Sequence, residues 1–176
     1  MTLTFPGWWK GGFSDRELVV QWALQPVLNL VEVFDINGAQ VMDGITPRHP
    51  RLCTMLPEDY RSKLPIGRIY RGGGAADTGV LSDPASVQLA IIAETREDSW
   101  QLMEYCRMWL LSYADGGTVH APDGSKILVD RVGELVGPQL VPELSPDTRM
   151  VPLTFQVVCR KPRGLPDYRK IRDSLS

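Results

Sequence analysis

Val87-Gln88-Leu89-Ala90-Ile91-Ile92-Ala93-Glu94-Thr95-Arg96-Glu97-Asp98 changes its hydrophobic period from strand to helix. The first seven residues are an apolar, β-branched-rich run of strand length, which predicts a well-buried strand. Thr95 then serves as a helix cap, and Glu97 and Asp98 complement the dipole of the first turn. Leu102, Met103, Cys106, Trp109, Leu110 and Tyr113 recur at helical spacing, and Asp115-Gly116-Gly117 stops the helix.

Upstream, Pro65-Ile66-Gly67-Arg68-Ile69-Tyr70-Arg71 predicts a strand that ends at Gly72-Gly73-Gly74. Phe13-Ser14-Asp15-Arg16-Glu17-Leu18 has the form of a capping box, with Ser14 as N-cap, Glu17 reaching back, and Phe13 and Leu18 as a staple. Val19, Trp22, Ala23, Pro26, Val27, Leu30, Val31 and Phe34 keep one apolar face in phase across the proline. The expectation is one bent helix of about 20 residues, stopped at Asn37-Gly38. Residues 38–64, punctuated by Pro47, Pro50 and Pro57, form a long connection.

Downstream, Lys126–Val132, extending toward Val136, predicts a strand, and residues 151–159 alternate between an apolar and a largely polar face. The order is helix, strand, strand, helix, strand, strand, with loops at 72–86 and 137–149. Helices and strands do not alternate singly, so a doubly wound parallel sheet is excluded. The expected architecture is one α+β domain with a mixed or antiparallel four-stranded sheet and two helices packed on it. Residues 1–14 form an aromatic leading segment, 15–160 the domain, and 161–176 a basic, mobile tail.

The composition is that of an ordinary globular domain: 176 residues, 43% apolar and 23% charged. Such a length supports a core without disulfides or metal. The net charge of -2 hides a split, since residues 1–159 stand at -6 and 160–176 at +4. An acidic body argues against a dedicated nucleic-acid binder. Cys53, Cys106 and Cys159 fit neither a disulfide framework nor a metal site, and a reducing cytosol is the expected setting. Neither a membrane-length apolar run nor a leader pattern stands out.

Catalytic chemistry has little to build on. His49 and His120 lack metal-ligating neighbours at usable spacing and read as solvated loop residues. Asp77, Asp83 and Asp123 are loop acids without a partner carboxylate nearby. Gly72-Gly73-Gly74 follows a strand, as a phosphate-cradling turn would, but without the Gly-Lys-Ser/Thr that completes one. Trp8-Trp9 lies outside any regular element and either folds back to plug the domain's own core or offers an interface.

The segments 65–74, 83–89, 93–98 and 149–157 together resemble the tail terminator proteins of long-tailed bacteriophages, particularly those of actinobacterial hosts. The similarity spans about residues 15–160. It implies a small α+β fold, no enzymatic activity and no cofactor or metal. It further implies a hexameric ring in the virion, assembled in the host cytoplasm, that caps the tail tube, stops its polymerisation and meets the head-completion protein. The genome would pass through the lumen, and no membrane is involved. Six copies at -2 give a ring charge of about -12, which disfavours DNA sticking to its walls.

Partner contacts are expected from the two ends and the two long loops: Trp8, Trp9, Arg71, Gly73, Asp77, Asp83, Pro138, Glu143, Arg169, Lys170 and Arg172. Three other readings remain. One is the neighbouring head-completion (stopper) protein, and another is a small nucleotide-binding enzyme using Gly72–Gly74. The third is a DNA-binding module working through Arg160, Lys161, Arg163, Arg169, Lys170 and Arg172.

Overall fold

The computed structural model describes residues 2–76, 82–139 and 149–175. Helix α1 (Arg16–Leu28) is followed by a two-stranded hairpin, β1 (Met42–Asp43) and β2 (Thr46–Pro47), then by β3 (Arg51–Cys53) and a 3-10 turn at Tyr60–Lys63. Strands β4 (Ile66–Gly73) and β5 (Ser82–Ala93) lead to helix α2 (Arg96–Leu111). Strands β6 (Gly117–His120), β7 (Lys126–Val136) and β8 (Arg149–Arg160) precede a last helix, α3 (Tyr168–Leu175).

The main sheet has six strands in the order β3-β4-β5-β8-β7-β6, antiparallel throughout except for the parallel pair β3 and β4. The α+β single-domain class holds, whereas four strands and two helices become six and three. The added strands are the short outer ones. β3 is three residues long, too short to show a period, and its pairing with β4 is supported by α1. There the Gln21 and Gln25 side-chain amides donate to the Leu52 and Pro50 carbonyls. β6 likewise depends on its partner β7.

β5 starts at Ser82, five residues before the predicted Val87, because Ser82–Ser86 pair with Arg160–Gln156 of β8. Along it Asp83, Ala85, Val87, Leu89 and Ile91 point to one face and are buried there. That face, with Val151, Leu153, Phe155 and Val157 of β8, packs under α1 and α2. Gly67 on β4 is held to a hydrogen by this packing: a Cβ there would meet Leu52 Cδ2 at 2.5 Å and Ile91 Cδ1 at 2.8 Å.

α2 begins as expected, the Thr95 side chain accepting from the Asp98 N–H, and buries Leu102, Met103, Cys106 and Leu110. Trp109 and Tyr105 sit at its flank against α1, where Trp109 Nε1–H donates to the Ala23 carbonyl (2.8 Å) and the Tyr105 hydroxyl to that of Val27 (3.1 Å). α1 departs from expectation at both ends. Its N-cap is Asp15, not Ser14, and Glu17 accepts from the Arg71 N–H instead of closing a capping box. It stops at Leu28, two residues past Pro26, which withholds an N–H and crowds the carbonyl one turn back. The apolar stripe beyond therefore leaves the helix, and Leu30 and Phe34 end up exposed.

The basic tail is also corrected, since it folds into α3. Asp167 caps it by accepting from Arg169 N–H, and Tyr168, Ile171 and Leu175 lie on one side at helical spacing. His49 is half-buried rather than solvated, its Nδ1–H donating to the Val31 carbonyl at 2.8 Å, and His120 lies exposed on β6 rather than in a turn.

Burial pushes the Cys106 thiol up to about 12 and that of Cys159 to about 11. The unfolded chain loses these protons near the ordinary value of 9.0, while the fold retains them. The stability this contributes is whole below about pH 9 and is lost as the pH climbs through the raised values. Urea midpoints are expected to stay level from pH 7 to 8.5 and then to fall. The fall should be shallower in Cys106→Ala/Cys159→Ala, and an equally steep one would contradict this assignment.

Candidate functional site

The long strands β5 and β8 run antiparallel in full register, so Ser82 sits opposite Arg160 at one end and Ala93 opposite Arg149 at the other. Twelve residues of β5 span about 40 Å. The connections between β4 and β5 and between β7 and β8 consequently leave the sheet at opposite ends. Each end carries a distinct surface, and neither resembles a catalytic centre.

At the Ser82 end a buried ionic pin joins three elements. Arg16, with no exposed surface, donates from Nη2 to Asp83 Oδ2 at 2.9 Å, and also to the Asp83 and Ser14 carbonyls. Arg71 approaches the other carboxylate oxygen of Asp83 at 3.5 Å. The N-terminus of α1 is thereby fixed to the base of the β4–β5 hairpin. Asp83 was expected among exposed loop acids and partner contacts; it is instead 3% exposed, on a strand, and committed to this pin. Sequence reading missed the pairing because its partner lies 67 positions away.

Just beyond the pin the two termini clasp one another. Tyr168 of α3 donates its hydroxyl to the Gly11 carbonyl (2.7 Å) and stacks near Trp9 and Trp8, with ring centroids at 5.4 and 6.3 Å. Trp8 and Trp9 nonetheless stay 42% and 41% exposed, as part of a shallow apolar groove with Ile171 and Leu175. The segment does not plug the domain's core: it folds back onto α3 and leaves an aromatic surface exposed. Arg172, paired with Asp173, lines the groove as well, and Arg169 and Lys170 are exposed on the same helix.

Arg71 and Gly73 lie on β4 on either side of a bulge, Arg71 half-buried and Gly73 exposed. Pro138 is half-buried at the opposite end, where Gln139 N–H donates to the Pro152 carbonyl. Asp77 and Glu143 lie outside the described residues. The structure thus brings Trp8 and Trp9 together with α3, and Arg71 with Asp83, but places Pro138 at the other pole.

That other pole holds a groove of about 540 Å³ between the segment after α1 and the start of α2. Val31, Val33, Phe34, Leu102 and Tyr105 supply apolar walls, and Glu32, Asp35, Glu94 and Asp98 stand around them. Among the described residues Arg48 is the one basic residue of its lining, and it is engaged by Asp43 at 2.9 Å. This groove escaped sequence reading because Val31 and Phe34 continued the stripe of α1. The available signal was Pro26 itself, a residue that ends or kinks a helix.

Gly72–Gly74 leads from β4 toward strand β5, not to a helix N-terminus of the kind that cradles phosphate. Among the described residues no three His, Cys, Asp or Glu side chains group as metal ligands, and no helix is long and apolar enough to cross a membrane. The chemistry on display is that of contact surfaces.

No protein of curated function matches the chain. A family model described as phage tail termination protein matches residues 12–166, from just before α1 to just before α3. The match leaves Trp8, Trp9 and α3 outside it and takes in the whole sheet and both packed helices, so the chain belongs to the phage tail termination protein family.

Proposed function

We propose that this protein is the tail terminator of a long-tailed phage of an actinobacterial host, acting as a homohexameric ring. The ring caps the last layer of the tail tube, ends its polymerisation and offers its other face to the head-completion protein, with the genome passing through the lumen. The observation that carries this reading is the family match across the entire sheet. Among the described residues the outer strand β6 has an edge without a partner strand, suited to pairing with a neighbouring copy.

A phage lacking this gene product is expected to fill its heads normally and to assemble tails of unregulated length, with purified protein restoring defined tails. Tails of normal length accompanied by heads that leak DNA would overturn the terminator reading and indicate the stopper instead.

A further inference from the structure

The two poles carry extensive apolar surface that no described part of the chain covers, and their charges are opposite. At the clasp, Leu3, Phe5, Trp8, Trp9 and Leu175 are exposed beside Lys10, Arg169 and Lys170. At the groove, which Glu32, Asp35, Glu94 and Asp98 line, Phe34 is exposed, and Ile36, next to Asp35 in the chain, is 98% exposed. Isolated apolar residues on a surface are ordinary, but contiguous apolar patches with charged rims mark contacts.

We propose that the aromatic clasp of one copy seats in the acidic groove of the next, forming an interface between two different patches of the same chain. Clasp against clasp would oppose cation to cation, and groove against groove carboxylate to carboxylate. Only clasp against groove matches charge while burying both apolar surfaces. Tryptophan is the side chain best suited to anchor such a contact, and the groove has the volume of a pocket that encloses a sizeable apolar group. Two unlike patches on one chain join head to tail, and such contacts close into a ring where the rotation between successive copies completes a circle. The proposal rests on the ring reading above and adds to it. Residues 1–11 and 167–176 lie outside the family match, so the clasp is a contact this chain adds to the shared domain.

The test is a charge exchange followed by mass measurement of the full chain in solution. Arg169→Glu/Lys170→Glu makes both patches acidic, and Glu32→Lys/Glu94→Lys/Gln101→Lys makes both basic. Each variant alone is expected to assemble at least tenfold more weakly than the wild-type ring and to run as monomer with unchanged thermal unfolding. An equimolar mixture pairs acidic clasp with basic groove and basic clasp with acidic groove, so it should regain rings in which the two variants alternate. Assembly of either variant alone at wild-type strength overturns this contact and leaves the ring standing. So does a mixture of folded variants that stays monomeric. A wild-type chain that is monomeric at every concentration overturns the ring itself, and this contact with it.

Discussion

Arg16→Met is expected to lower the unfolding free energy by about 3 to 5 kcal/mol, the cost of breaking a buried ion pair from one side. Arg16 is enclosed completely, and its guanidinium serves the Asp83 carboxylate together with the Asp83 and Ser14 carbonyls. Methionine fills much of the same space but donates nothing. Among the described residues the Asp83 carboxylate, 5% exposed, would keep only Arg71, which is farther away and more than a third exposed. At this chain length the loss corresponds to a fall in Tm of roughly 10 °C. Arg16→Met/Asp83→Leu should cost less than the sum of the two single changes, since it removes the orphaned charge as well as its partner. Urea unfolding of the three variants checks this. A loss below 1 kcal/mol for Arg16→Met, or simple additivity, would refute the role of the pin.

Gly74→Ala is expected to cost about 3 kcal/mol and to disturb the hairpin that the pin holds. Gly74 has φ +134°, and a Cβ built on it would collide with the Pro84 carbonyl oxygen and lie 2.7 Å from Ala85 Cα. Both obstacles are backbone of β5, so no side chain can swing away. The neighbouring Gly73 supplies the control. Its φ is similar, +140°, but a Cβ there meets nothing within 4 Å. Gly73→Ala should therefore lose only the conformational term, about 1 to 2 kcal/mol. Equal losses at the two positions would contradict the close approach of strand to strand at Gly74. If the hairpin contacts a partner, tail joining in vivo should fail with Gly74→Ala before it fails with Gly73→Ala.

How legible each element was followed from how locally it is stabilised. α2 and the strands β4, β7 and β8 are long enough for their period to show, and Thr95 announces the start of α2. β3 and β6 run three and four residues and owe their extended form to neighbouring strands. The start of β5 was obscured because Asp83-Pro84-Ala85-Ser86 has loop-like composition, yet in the sheet each residue pairs across to β8. At the candidate contact surfaces, Trp8, Trp9 and the basic residues of α3 stood out as residue types. Their meeting through Tyr168 did not, because it joins positions 157 residues apart.

Residue order alone settled the α+β class, the central strands, the second helix and the uneven charge. Each rests on periodicity, capping or composition, which act over a few residues and do not depend on what lies across the fold. Tertiary structure alone decided that Asp83 is a buried counter-ion and not a surface acid, that the tail is a helix closed on Trp9, and that the stripe after Pro26 lines an acidic groove. Those outcomes depend on burial and on partners distant in sequence, and a charge or an aromatic ring acquires its role only from the groups that the fold sets against it.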